Sequence, residues 1–303
     1  MEPLRGFLGR LLLRFWIRRG FKIYPSFYFL LLATAVFFLI RIGRVPTDIV
    51  GDIFFLQGYI PHVWEHGWSL AVEEHFYILL PLLLLLLLRI SGSPKAIPLI
   101  SVAASIVCLW LRVLALRRGG TWAQITYPTH LRIDALFAGV TLGYFAHFDP
   151  ESFNESRTAW FPLIGIALWA IGIFMPVLPL SLSLLYLGFA CIVAWAVHRP
   201  RSQNPVLRGV AWIGFYSYSI YLWHPLIALT FYRVPQHWWR FPAYVATAVL
   251  VGMVMAKLIE IPALIIRDKQ FPSAFQHRTS SRLVSASAVN DVPSRPNTRL
   301  GSA

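Results

Sequence analysis

Apolar residues in this chain come in runs of roughly 20, the length an α-helix needs to cross a bilayer, separated by short polar or basic loops. The pattern predicts eight spans, at 24–42, 67–88, 96–116, 131–147, 159–176, 179–198, 210–232 and 242–266. The ten-residue alternation of an outer-membrane barrel is absent, and so are internal repeats and heptads. The fold class that follows is all-α, a polytopic transmembrane helical bundle. Breaks between spans are clearest at "RISGSPKAIP" (89–98) and "HRPRSQNPVLRG" (198–209), where Pro, Gly, Ser and basic residues gather. Within the stretch from Val45 to His66, "TDIVGDIFFLQGYI" is apolar but short, and Asp48 and Asp52 sit inside it. A re-entrant or interfacial helix suits it better than a span.

Composition strengthens this reading. With 57% hydrophobic and 13% charged residues, and a mean hydropathy of +0.61, an ordinary soluble domain is excluded. The net charge of +14 raises the question of nucleic acid. Most of the 27 lysines and arginines, however, flank spans on one side once the N-terminus is placed in the cytoplasm. That bias is the positive-inside rule, and an even number of spans then puts both ends inside. Arg41, Arg44, Arg117 and Arg118 fall on the opposite side. Because the basic residues do not line one soluble face, no nucleic acid is expected as a partner.

The expected organisation is a basic cytoplasmic segment at 1–23, a membrane domain at 24–266 and a disordered cytoplasmic tail at 267–303, rich in Ser, Arg, Asn and Pro. Cys108 and Cys191 each lie alone inside a span and read as small core residues. No Cys/His spacing suggests a metal.

Candidate chemistry gathers where polar groups sit at membrane depth, because lipid makes them costly there. In "HGWSLAVEEHFYILLPLLLLLLL" (66–88), Ser69, Glu73 and Tyr77 follow a spacing of four and form one helical stripe. Glu74 points about a quarter-turn away, and Pro81 leaves the carbonyl of Tyr77 without its helical donor. The bland alternative is a pair of hydrated glutamates at the end of a span. "HLRIDALFAGV" (130–140) begins with His130, Arg132 and Asp134, which read either as a helix-start ion pair or as a binding group. Gly139 and Gly143 follow at a spacing that permits close helix contact. "GFYSYSIYLWHPL" (214–226) brings three tyrosines, two serines and His224 into a span. An aromatic belt accounts for Trp223 and Tyr221 there, but not for the hydroxyls. Lys257 and Glu260, three apart, read as a mutual ion pair.

In order and wording these stretches resemble one family. "WSLAVEEHFYILLP" is similar to the WSLxxEExFY signature of membrane acyltransferase family three, the O-acetylases of cell-surface sugars. "FWIRRGFKIYPSFY" (15–28) resembles its basic RRxxRxxP block, "LRIDALFAGVTLGY" (131–144) its Arg-x-Asp-x-Leu-x-x-Gly segment, "WIGFYSYSIYLWHPLI" (212–227) its SYSxYLWH helix, and "IEIP" its closing E-x-P. Lys22 replaces the family's second arginine, and His75 stands where glutamine is common. Family members carry two helices before the basic block, with a histidine implicated in acyl transfer. The resemblance therefore implies a chain that lacks both, either because the start lies upstream of Met1 or because the product is truncated and inactive alone. His66, His75 and His130 lie near the predicted outer face, yet a base on a different helix rarely reproduces a lost position.

What the resemblance implies is transfer of an acyl group, by family habit acetyl, from a cytoplasmic thioester to a hydroxyl of a cell-envelope glycan or glycolipid. The cell's inner membrane is the expected location, membrane lipid a partner, and acetyl-CoA a donor substrate rather than a bound cofactor. Such transfer needs a base, oxyanion donors and cations for the donor's phosphates. Arg18, Arg19 and Lys22 are the candidate phosphate partners, although any first cytoplasmic loop is basic. Glu73, Ser69 and His224 are the candidate catalytic groups. Trp68, Glu74, Tyr77, Arg132 and Asp134 are the candidates for holding the acceptor. The rival class is a transporter or flippase of a lipid-linked sugar, since intramembrane charges and Pro-broken helices mark those too.

Overall fold

The computed structural model describes residues 2–199, 203–232 and 234–272; most of the tail expected to be disordered (267–303) lies outside the described residues. Among them no strand occurs. In chain order the helices are α1 (Glu2–Ile42), α2 (Ile49–Ile53), α3 (Trp68–Ser91), α4 (Ile97–Arg117), α5 (Trp122–Thr126), α6 (Ile133–Phe148) and α7 (Glu155–Thr158). They continue with α8 (Phe161–Phe174), α9 (Leu178–Val197), α10 (Pro205–Phe215), α11 (Ser217–Tyr232), α12 (Arg240–Met255) and α13 (Ile261–Gln270). Five helical segments among the described residues are long and apolar enough to cross a membrane: Gly9–Ile42, Glu65–Ser91, Pro94–Arg117, Leu178–Val197 and Arg240–Gln270. The all-α membrane bundle read from the pattern is thus the observed class.

Three of the eight expected spans take a different form. Those at 131–147 and 159–176 are the shorter helices α6 and α8, of 16 and 14 residues. The one at 210–232 is two helices, α10 and α11, separated at Tyr216. Gly214 and Ser217, weak helix formers, flank that break, and no residue of α10 is buried. A fourth, at 242–266, is interrupted by a π-turn at Ala256–Glu260. Helix ends follow local chemistry. Gly92, in the left-handed region at φ 65°, closes α3. Thr121 and Gln124 form a capping box on α5.

The described residues divide into two compact units, Ser26–Met255 and, separately, those up to Pro25 together with those from Ala256 onward. In the smaller one, Arg18 pairs with Asp268 at 3.1 Å and donates to the carbonyl of Phe271. The Phe21 and Phe271 rings lie 6.0 Å apart. In the larger unit, Phe27 of α1 stacks on Phe55 at 4.6 Å. Phe76 of α3 meets Phe137 of α6 edge-on at 5.1 Å, and Trp223 of α11 meets Phe29 at 6.2 Å. The stretch expected as a re-entrant or interfacial helix folds as the five-residue α2 and a series of turns.

Candidate active site

The turns after α2 close around Asp52, which is fully buried. Its carboxylate accepts from the backbone N–H groups of Val63 (2.7 Å) and Trp64 (3.3 Å) and from Gln57 Nε2 (3.3 Å). Burial raises this carboxyl above its ordinary value, against the pull of those three bonds. Trp64 also donates from its indole to Thr34 of α1 at 3.0 Å. The loop is thereby fixed just before it delivers Glu65, His66 and Gly67, a 3-10 turn, to the start of α3.

That turn meets α11. Tyr221 donates its hydroxyl proton to the carbonyl of His66. Ser69 Oγ lies 2.6 Å from the Tyr221 oxygen. Since the single phenolic proton is engaged by His66, Ser69 is the donor in that pair. His224 Nδ1 lies 2.6 Å from the Tyr221 carbonyl. A carbonyl only accepts, so Nδ1 carries the proton and Nε2 the lone pair. The His66 and His224 rings are 5.7 Å apart. Glu73, half-buried one turn below Ser69, acts electrostatically on the Tyr221 phenol.

Beside this cluster is an aromatic shelf. Trp68 stacks on Tyr127 with centroids 5.1 Å apart and planes 9° from parallel, and the Arg132 guanidinium sits 5.5 Å from the Trp68 ring. Tyr127 donates to Glu65 at 2.5 Å; burial, then this bond, raises its phenol above the ordinary value. A second set of contacts fixes the turn at Thr129–Leu131. Thr129 Oγ1 is 2.6 Å from His75 Nδ1, and its N–H donates to Tyr59 at 3.1 Å. The Tyr59 hydroxyl in turn lies 3.2 Å from His130 Nδ1.

The candidates thus separate. Ser69, His224 and Glu73 gather around Tyr221, while Trp68 and Arg132 form the shelf. Glu74 is buried and acts on Tyr28 of α1, and Tyr77 is half-buried two turns below Ser69. Asp134 does not pair with Arg132. It is fully buried and takes a bidentate contact from Arg112 of α4, both distances 2.6 Å. Arg132 lies instead over Trp68, while Arg112 engages both carboxylate oxygens. Nor are Tyr221 and Trp223 a belt: Tyr221 is bonded within the cluster, and Trp223 is 3% exposed. Arg18, in the smaller unit, is engaged by Asp268, while Lys22 is exposed and Arg19 half-buried. Arg112 went unnoticed in the sequence, although an arginine within "CLWLRVLAL" is the kind of costly intramembrane charge that marks a site or a lock. Among the described residues no group of three His, Cys, Asp or Glu side chains that could hold a metal comes together.

A family model described as an acyltransferase domain, membrane acyltransferase family three, matches residues 4–257. The chain belongs to this family. Relatives within it include the peptidoglycan O-acetyltransferase OatA of Listeria monocytogenes, 25% identical over 87% of this chain and 47% of that protein. The O-acetyltransferase OatA of Staphylococcus aureus (strain NCTC 8325) is 28% identical over 86% of this chain and 48% of its own length. A putative O-acetyltransferase of S. aureus (strain COL) is 26% identical over 69% and 40%. The chain spans about half the length of the curated relatives it matches. No solved structure matches it. Both stretches that meet at Tyr221, "WSLAVEEHFY" and "SYSIYLWH", lie within the family match.

Proposed function

We propose that the chain carries out membrane O-acyl transfer, moving an acetyl group from acetyl-CoA to a hydroxyl of a cell-envelope glycan. The observation that carries the reading is the cluster of Ser69, Tyr221 and His224 beside Glu73, adjoining the Trp68–Tyr127 shelf. Peptidoglycan is the favoured acceptor, since the Listeria relative is named for it. The inner membrane is the favoured location, as the donor is cytoplasmic.

In this reading a sugar ring rests against the half-buried Trp68, which the buried Tyr127 backs, with Arg132 at its edge. His224 Nε2, the lone-pair nitrogen, accepts the proton of the attacking hydroxyl. The hydroxyl oxygen forms the new C–O bond at the thioester carbonyl. The C–S bond breaks, and the proton passes from His224 to the departing thiolate, giving free CoA thiol and an O-acetyl ester. Glu73 favours the transient imidazolium by its charge. Ser69, whose proton is held by Tyr221, acts as an acceptor that orients the sugar rather than as a nucleophile. Glu74 and Tyr77 extend the polar stripe below the acceptor. Arg18, Arg19 and Lys22 bind the donor's phosphates, with Arg18 exchanging its Asp268 partner for phosphate.

The test uses the full chain in proteoliposomes with radiolabelled acetyl-CoA and a peptidoglycan fragment, reading label transferred to glycan. Glu73→Gln is expected to cut transfer by about 10²-fold or more with unchanged membrane insertion. Glycan that stays unlabelled with every thioester while being moved across the bilayer would overturn the proposal in favour of transport.

A further inference from the structure

We infer that Arg112 is a positioning residue for the turn that carries Thr129, His130 and Arg132. The inference rests on the acyl-transfer reading for its functional meaning. Arg112 projects from α4 and is fully buried. All three of its nitrogens donate, and to three different elements. Nε reaches the carbonyl of Leu131 (2.7 Å), Nη1 reaches Ser183 Oγ of α9 (3.0 Å), and Nη2 reaches both oxygens of Asp134 on α6 (2.6 Å).

An ion pair alone is a poor reason to keep an arginine here. Desolvating two charges is costly, and apolar residues of similar volume often hold a bundle equally well. What distinguishes Arg112 is where its bonds fall along the chain. They land on Leu131 and Asp134, so they bracket Arg132 from both sides. Arg132 is also where the backbone changes course, at φ −134° and ψ −8°, between the 3-10 turn and α6. The Leu131 carbonyl, at this break, would be costly to leave unpaired in lipid. Arg112 satisfies it and fixes the direction of the turn. One helical turn earlier on α4, Cys108 Sγ touches the carbonyl of His130 at 3.4 Å, a second brace on the same segment. From the braced turn, Thr129 reaches His75, His130 reaches Tyr59, and Arg132 lies over Trp68. Arg112 touches none of the reacting groups. It acts through the turn.

Arg112→Lys keeps a cation for Asp134, but one ammonium cannot also reach Leu131 and Ser183 in the same geometry. In the full chain the expected result is a glycan KM raised about tenfold, with the acetyl-CoA KM and the rate of acceptor-independent thioester hydrolysis unchanged. Hydrogen–deuterium exchange is expected to rise in 128–133 alone, with α4 and α6 as protected as before. If the lysine variant does not fold, the paired Arg112→Met and Asp134→Leu variant removes both charges and keeps the volume. The same two changes are expected from it. Wild-type glycan KM together with wild-type protection of the turn, or loosening spread along α4 and α6, would overturn the inference. A wild-type protein that transfers no acyl group defeats the acyl-transfer reading instead, and the exchange measurement then still decides whether Arg112 holds the turn.

Discussion

Helix α9 packs against its neighbours by two different means. Toward α8 the contact is one of shape. A Cβ on Gly188 would lie 2.7 Å from the Gly165 carbonyl, and one on Gly172 would lie 3.1 Å from the Leu185 side chain; a single hydroxyl bond, from Ser181 to the Gly172 carbonyl, accompanies this close approach. Small residues let the two backbones approach, the usual way to join helices where lipid offers no hydrophobic drive. Toward α4 the same helix offers hydroxyls: Ser183 accepts from Arg112, which also holds Asp134 of α6, and Tyr186 donates to Ser105 at 3.0 Å. The α8–α9 seam needs only to stay closed. The α4–α6–α9 seam has a turn to hold in one orientation, and directional bonds do what close packing alone does not.

The contrast predicts different failures. The largest loss of stability is expected from Asp134→Ala, which leaves the Arg112 charge buried and uncompensated, at about 3–5 kcal/mol. Thermal unfolding in detergent measures it, and a loss below about 1 kcal/mol would mean that the seam is held by shape after all. His224→Ala is expected to lower acyl transfer by about 10²- to 10⁴-fold with the unfolding midpoint unchanged. Activity close to wild type would remove His224 from the role of base. Gly188→Val, which drives a side chain into the α8 backbone, is expected to cost about 1–3 kcal/mol while turnover per folded molecule stays the same. A parallel fall in turnover would show that the shape seam also serves the site.

The smallest effect concerns Asp52. Burial raises its carboxyl, so the folded chain holds this proton more tightly than the unfolded chain. Its contribution to stability is complete below the unfolded value of about 3.9 and is lost as pH rises through the folded value. Asp52→Asn is expected to remove that slope, so that variant and wild type diverge as unfolding is followed from pH 4 upward. Parallel curves would place the raised carboxyl in doubt.

Hydropathy was enough to find the five helices that are long and apolar enough to cross a bilayer among the described residues, because a bilayer demands length and apolarity from any helix that crosses it. It did not reveal the break at Tyr216 or the π-turn at Ala256–Glu260, since both occur inside stretches whose composition stays apolar. The family resemblance located "WSLAVEEHFY" and "SYSIYLWH" but not their junction. Ser69 and Tyr221 are 152 positions apart, and they meet through packing that no local pattern encodes. Tyr221 looked like belt because its ring is ordinary there; its hydroxyl, bonded to the His66 carbonyl, is what differs. Asp134 was visible as costly, and its neighbour in sequence, Arg132, was the natural partner to assign. The actual partner comes from α4, 22 positions earlier, because a helix pair can satisfy a carboxylate from two directions where a helix start offers one.

The loop around Asp52 also constrains how this protein can change over generations. Gly58 faces the Tyr127 carbonyl, and a Cβ there would stand 2.7 Å from that oxygen; Gly51 faces the Pro61 carbonyl in the same way. Every missense change in a glycine codon adds a Cβ. At these two positions a mutational library is therefore expected to return glycine alone, while the flanking exposed Phe54 remains open to drift, so new specificities would arise by exchanging side chains around a loop whose path is inherited unchanged.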